Sequence, residues 1–254
     1  MIAAIIQART GSTRLPKKVL AKIEGKPMLW HIIERVKKAK NINEIIIATT
    51  NRKEDKKIIK IAKKSGVKSF AGSEEDVLDR YYKAAEKYNT DIIVRITGDC
   101  PFVDPEIIDK IVEFFKKNNF DYVSTGHITK QKHELNYPAG LNTEVFSFSA
   151  LKKAWKQALL PSEREHVTPY IWKNDKLFKI RTINSGQNFS HMRWTVDEKQ
   201  DLKLIREVYK KLYSDQKIFL MQDILDLFKK EPYLMEINKG IKRDEGYLKS
   251  LKKD

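Results

Sequence analysis

From residue 2 to residue 125, apolar runs of strand length alternate with amphipathic segments of helix length, and that rhythm constrains the fold more than any single residue does. Strands are expected over residues 2–7, 44–49, 67–70, 91–96 and 122–125, and helices over 27–38, 54–65, 74–88 and 105–118. A strand, a helix and another strand in succession form a crossover, which sets the two strands parallel and covers the sheet with helices. Such strands are buried on both faces, which is why they read as continuous apolar runs and not as alternating ones. The expected fold class is therefore α/β, a Rossmann-like, mostly parallel sheet flanked by helices.

After residue 125 the rhythm changes. A polar stretch over 126–137 leads to a strand over 144–148 and helices over 150–159 and 163–173. Further strands are expected over 177–183 and 191–196, then helices over 199–213 and 222–229. No Pro/Gly/Ser-rich linker separates the halves, so the chain reads as one domain over 1–254. Residues 1–125 form its first half and 126–254 an elaboration of it.

The net charge of +16 raises the question of nucleic acid. The lysines, however, are scattered in pairs such as Lys37-Lys38, Lys56-Lys57, Lys63-Lys64 and Lys116-Lys117 on the polar faces of expected helices, a pattern that serves solubility. No nucleic-acid partner is expected. Cys100 is the single cysteine, so neither an intrachain disulfide nor a Cys-rich metal site can form. There is no apolar run of membrane-spanning length and no charged leader before the first strand, which together point to the cytoplasm and to no membrane partner.

The strongest local signal follows the first strand directly: Ala8-Arg9-Thr10-Gly11-Ser12-Thr13-Arg14-Leu15-Pro16-Lys17-Lys18. In open parallel sheets ligands bind beyond the carboxyl ends of strands, and a Gly/Ser/Thr loop there offers backbone N–H groups to an anion. Gly11 permits close approach, Ser12 and Thr13 add hydroxyls, and Arg9, Arg14 and Lys18 bring charge suited to a polyphosphate. The loop lacks both the Gly-Lys-Ser/Thr ending of a Walker A motif and the repeated glycines of a dinucleotide fingerprint.

Residues 7–18 resemble the opening signature of the CMP-sugar synthetases, the cytidylyltransferases that activate sialic-acid-like and Kdo-like sugar acids. Within that group the nearest resemblance is to the spore-coat polysaccharide biosynthesis SpsF type. It rests on GSEEDVLDRYY (72–82), RITGDCPFVDP (95–105), residues 137–148, EREHVTPY (163–170), RWTVD (193–197) and EGYLKSL (245–251), in order along essentially the whole chain. The resemblance implies a nucleotide-diphospho-sugar transferase (GT-A-like) fold, CTP and an acidic small-molecule acceptor as substrates, Mg²⁺ as cofactor and a homodimer joined through the inserted segment 126–142.

It also implies site residues. Arg9, Lys18 and Asp99 are expected to be catalytic. Ala8, Arg9, Thr10, Gly11, Ser12, Arg14, Lys18, Thr97 and Gly98 would bind the nucleotide, with Thr49, Thr50, Gly72 and Ser73 around base and ribose. Asp76 reads equally well as a ribose contact or as a first-turn acid of its helix. The Mg²⁺ ligands would be Asp99, beyond the strand over 91–96, and Asp197, in the family's matching position, since Mg²⁺ takes only one or two protein carboxylates. Arg95, Tyr137, Glu144, Arg164, His166 and Arg193 would face the acceptor, with a packing role as the alternative for His166. Cys100, before a proline, reads as packing; His127, His133 and His191 lack metal-site spacing. Lys18, on a loop, is expected to contribute charge and little to folding.

Rival readings are each opposed by the sequence. A glycosyltransferase of the same fold commonly carries Asp-x-Asp, which is absent from this chain. Hexose-1-phosphate nucleotidyltransferases open on Gly-Gly-x-Gly-Thr-Arg, where this chain has Arg9-Thr10-Gly11-Ser12. A basic nucleic-acid-binding protein would interleave aromatic and basic residues along one strand face, and none does so.

Overall fold

The computed structural model describes residues 1–126 and 136–254. In chain order its elements are β1 (Ile2–Gln7), β2 (Lys22–Ile23), β3 (Lys26–Pro27), α1 (Met28–Val36), β4 (Glu44–Thr50), α2 (Lys56–Lys64), β5 (Lys68–Gly72), α3 (Val77–Lys87), β6 (Ile92–Thr97), α4 (Pro105–Lys117) and β7 (Tyr122–Ser124). They continue with β8 (Glu144–Ser147), α5 (Phe148–Gln157), α6 (Pro161–His166), α7 (Pro169–Lys173), β9 (Ile180–Thr182), α8 (Lys199–Leu212), α9 (Met221–Lys230) and α10 (Glu245–Ser250). Short 3₁₀ turns fill some of the connections.

Seven strands form one sheet in the order β5-β4-β1-β6-β8-β7-β9. β1 pairs in parallel with β4 and β6, and β4 with β5, whereas β8 runs antiparallel to both β6 and β7. Ala3 through Ile6 of β1 are wholly buried, as a central parallel strand requires. Alternate side chains divide between two apolar layers. Ala4, Ile6, Ile47, Val94 and Val145 pack under α1, α2, α4, α8 and α9, while Ala3, Ile5, Ile46, Ile93, Tyr122 and Phe146 pack under α3, α5 and α7.

The chain order locates the site. From β1 it moves outward to β4 and β5, then returns to place β6 on the other side of β1. Connections therefore diverge above the carboxyl ends of β1 and β6, leaving a crevice between them. The floor of that crevice is unusually tight. A Cβ on Gly98 would lie 2.7 Å from the Gln7 carbonyl oxygen, so only glycine lets the end of β6 close against β1.

The second half departs from expectation in two places. Residues 163–173 are not one helix but α6 and α7, broken at Val167, whose φ is 72°, ahead of Pro169. Residues 191–196 are not a strand; they make a single bridge, Ala139 with Arg193. Their apolar character comes from burial of Trp194 and Val196 in the core, and a Cβ on Gly140 would meet the Trp194 backbone at 2.6 Å.

Candidate active site

The loop after β1 is braced from beneath by Asp55. This buried carboxylate accepts hydrogen bonds from the Thr10 backbone N–H at 2.8 Å, from the Thr10 hydroxyl at 2.6 Å and from the Thr50 hydroxyl. Burial opposes its charge, but the bonds from Thr10 and Thr50 prevail and hold its pKa below the ordinary carboxylate value. Thr10 and Thr50 thus turn their hydroxyls inward, where they set the loop's shape. The loop also closes on itself, with the Lys17 N–H donating to the Thr10 carbonyl at 3.0 Å and Lys17 at a φ of 60°.

Beyond this brace lies a charge cluster. The Lys18 ammonium donates to Asp99, to Asp197 and to the Val196 carbonyl, each at 2.8 Å. Burial works against the ammonium, yet the two carboxylates outweigh it and raise its pKa, so it stays charged. Burial would likewise raise Asp99, but Lys18 dominates and brings it down to about 2. Asp197 also meets Arg14 at 2.9 Å and Arg193 at 2.8 Å. Arg193 is anchored in turn by the buried Asp201, which also accepts from the Asn238 amide and from the N–H groups of Asp197 and Glu198. Asp99 follows β6 and Asp197 precedes α8, yet one cation bridges them, so both reach a single ion-sized position. Two carboxylates around one such position are a donor set that suits Mg²⁺, which fills its other sites with water and phosphate oxygens.

Two clefts meet at this cluster. One, of about 480 Å³, is lined by Ala8, Arg9, Ser12, Arg14, Lys18, Gly98 and, from the C-terminal segment, Lys249 and Lys253. Its mixture of a strand-end loop and cationic side chains suits a nucleotide's phosphates. The other, of about 310 Å³, is lined by Arg95, Cys100, Asn142, Glu144, Trp172, Arg193, Arg243 and Tyr247. Gln7, Arg14, Thr97, Asp99, His166, Asp197 and Gly246 line both.

Other expected site residues lie elsewhere. Gly11, Thr49, Gly72 and Ser73 do not line the clefts. Gly11 packs toward Glu74 and Arg52, Thr49 is buried beneath, a Cβ on Gly72 would collide with the Phe70 ring at 2.8 Å, and Ser73 accepts from the Asp76 N–H at 3.0 Å. Asp76 caps α3, accepting from the Asp79 N–H at 2.8 Å, and also pairs with Arg164. Arg164 further donates to the Trp155 carbonyl at 2.7 Å, which ties α6 to α3 and α5 outside the second cleft. Tyr137 is buried in the core and absent from that cleft.

Two residues of the second cleft carry charge states that the sequence did not reveal. Glu144 is saturated, accepting from Arg95, from the Tyr122 hydroxyl at 2.6 Å and from the Thr168 hydroxyl at 2.7 Å. Burial opposes its ionisation, but Arg95 prevails and lowers its pKa, which makes it a weak base. His166 is driven down to about 4 by burial and by Arg95, so at neutral pH it is an uncharged hydrogen-bonding partner, here of the Ser250 hydroxyl at 3.0 Å. Cys100 is buried, and that burial pushes its thiol up, away from nucleophilic character.

Sequence reasoning missed Asp55, Asp201 and Glu245. Asp55 looks like any acid at a helix start, and Glu245, which pairs with Arg14 at 3.4 Å, comes from far along the chain.

Fold and site define an enzyme of the nucleotidyltransferase class. The chain belongs to the cytidylyltransferase family, whose sequence model matches residues 3–245. It is 35% identical over 217 residues to the spore coat polysaccharide biosynthesis protein SpsF of Bacillus subtilis, covering 83% of this chain and 87% of that protein. It superimposes on a cytidylyltransferase from Leptospira borgpetersenii with a TM-score of 0.86 at 34% identity, over 95% of this chain and 99% of the other. It shares its fold with CMP:2-keto-3-deoxy-manno-octonic acid synthetase, solved in complex with CTP, at a TM-score of 0.65 and 18% identity, over 84% of this chain and 99% of that one.

Proposed function

We propose that this cytidylyltransferase transfers CMP from CTP to a sugar acid of the nonulosonate or Kdo-like class, or to another acidic small-molecule acceptor, releasing pyrophosphate. The observation that carries the reading is the Lys18 ammonium bridging Asp99 and Asp197 at 2.8 Å, where a cleft lined by cationic side chains and a second cleft meet. The identity to SpsF supports a role in surface-polysaccharide precursor synthesis. A cytoplasmic homodimer belongs to the same proposal. Its suggested contact segment, 126–142, lies mostly outside the described residues, and among those described no helix is long and apolar enough to cross a membrane.

In the proposed reaction an acceptor hydroxyl oxygen forms a bond to the α-phosphorus of CTP as the bond to the β-phosphate oxygen breaks; pyrophosphate carries away the electron pair and the hydroxyl proton passes to solvent. Catalysis is then mostly placement and neutralisation of charge. Arg9 and Ser12 would face the leaving phosphates, with Lys18 neutralising charge beside Asp99 and Asp197, and the brace on Asp55 fixes the loop that presents them. Mg²⁺, held by Asp99 and Asp197, would supply Lewis-acid stabilisation of the phosphate charge. Glu144, with both carboxylate oxygens engaged and a lowered pKa, is placed to hold Arg95 and not to remove a proton.

The test is a pyrophosphate-release screen in which the chain is offered each nucleoside triphosphate with a panel of acidic acceptors and Mg²⁺. Release is expected only when CTP and one acidic acceptor are both present. Release from UTP or ATP at the CTP rate, or with neutral hexoses in place of acids, would contradict the proposal.

A further inference from the structure

The acceptor cleft has a polar floor built across three strands. Gln7 pairs in register with Thr97, and Arg95 with Glu144, so these four side chains fall at the carboxyl end of β6 on the sheet face otherwise occupied by Ile5, Ile93, Tyr122 and Phe146. Glu144 is fully engaged, and the Thr97 hydroxyl meets the Cys100 sulfur at 3.0 Å. Gln7 is different. Its side-chain carbonyl oxygen is shut off from solvent and accepts no hydrogen bond among the described residues.

A buried acceptor left without a donor costs folding free energy of about 1–3 kcal/mol, and native chains retain few of them. Nothing in the local fold requires it, because the Gln7 backbone is already fixed by β4 and β6 and by the Gly98 N–H, which donates to its carbonyl at 2.8 Å. Gln7 also lines both clefts, so a turn of its side-chain amide brings that oxygen to where two bound substrates would touch.

We infer that Gln7 is an acceptor-binding residue: its side-chain carbonyl takes a hydrogen bond from a hydroxyl of the acceptor at the junction of the clefts and aims that oxygen at the α-phosphorus. The inference rests on the cytidylyl-transfer reading and adds to it a residue that the family resemblance did not supply. A carbonyl oxygen only accepts, so it favours a protonated oxygen and repels a carboxylate or phosphate oxygen. Arg95 complements it, since it lines the same cleft and its buried Nε has no partner among the described residues. The floor thus presents one unpaired acceptor and one unpaired donor, a match for a hydroxyl beside an anionic group.

The test compares the wild-type chain with Gln7→Leu and Gln7→Met, which keep bulk and remove the carbonyl. Ligand-free thermal midpoints are measured alongside steady-state pyrophosphate release with CTP and 2-keto-3-deoxy-manno-octonic acid, or whichever acidic acceptor the wild type uses fastest. The expected result is a midpoint that does not fall, because an unpaired polar atom has been removed, with the KM for the acceptor raised about tenfold and that for CTP unchanged. A lower midpoint in both variants, or an unchanged acceptor KM, would overturn the inference. Absence of CTP-dependent release from the wild-type chain with every acceptor would instead contradict the reading on which it rests, and the thermal comparison would still decide whether the Gln7 carbonyl is held at a cost to stability.

Discussion

Asp99→Asn and Asp197→Asn are each expected to lower Mg²⁺-dependent turnover by about 10³-fold, and the double variant is expected to be little worse than either alone. The magnitude follows from losing most of a Lewis acid's several kcal/mol at the transferring phosphate, at roughly 1.4 kcal/mol per tenfold in rate. The non-additivity follows from geometry: one cation bridges both carboxylates at 2.8 Å, so either loss breaks the same two-ligand position. CTP binding measured without Mg²⁺ should persist in all three variants, because Arg9, Ser12 and Lys18 remain in the cleft. Multiplying losses in the double variant, or a silent Asp197→Asn, would show that the two carboxylates do not share an ion.

Lys18→Ala is expected to lower turnover by about 10²-fold, the usual effect of removing one preorganised group that stabilises charge in a transition state. The structure revises the expectation that this change would leave folding untouched. The ammonium joins the loop after β1, the end of β6 and the segment before α8, and its removal leaves Asp99, Asp197 and the Val196 carbonyl facing one another. A loss of about 2 kcal/mol is expected, equivalent to roughly 4–8 °C in thermal midpoint for a chain of this size. The pH dependence follows from the sign of each shift. Asp99 has a folded pKa depressed to about 2 from 3.8, so its contribution is present above the unfolded value and is lost as pH falls through the folded one. Lys18 has a raised pKa, so its contribution persists through neutral pH and is lost only in strong alkali. The stability difference between wild type and Lys18→Ala should therefore be flat around neutrality and shrink between pH 4 and about 2. Equal midpoints at pH 7 would show that the cluster contributes nothing to folding.

The parallel half of the fold was legible because burial on both sheet faces leaves continuous apolar runs, and those runs became β1, β4, β5 and β6 within a residue or two. The β2–β3 hairpin was missed although Glu24 and Gly25, with φ of 42° and 76°, form the two-residue turn that such hairpins use. Residues 191–196 misled because an apolar run records burial and not pairing: Trp194 is buried against Phe102 and Phe228 without a ladder. In the site, Lys18, Asp99 and Asp197 were found through the family's motif blocks, and the geometry brings the three together. Asp55 was invisible because a carboxylate bracing a loop by long-range hydrogen bonds looks, in sequence, like a surface acid. Arg164 and Asp76 pair with each other and tie α6 to α3, and they line a neighbouring cleft that also takes in Arg9 and Lys253, a placement that spacing in sequence does not show.

The central claim, that the cation-lined cleft beyond β1 is a CTP site, is tested most directly by calorimetric titration of the chain with CTP, UTP and ATP under identical Mg²⁺ and salt. The account predicts that CTP binds at least about tenfold more tightly than either, a difference of roughly 1.4 kcal/mol. Equal or tighter binding of UTP or ATP would contradict the assignment of cytidylyl transfer while leaving the fold as described.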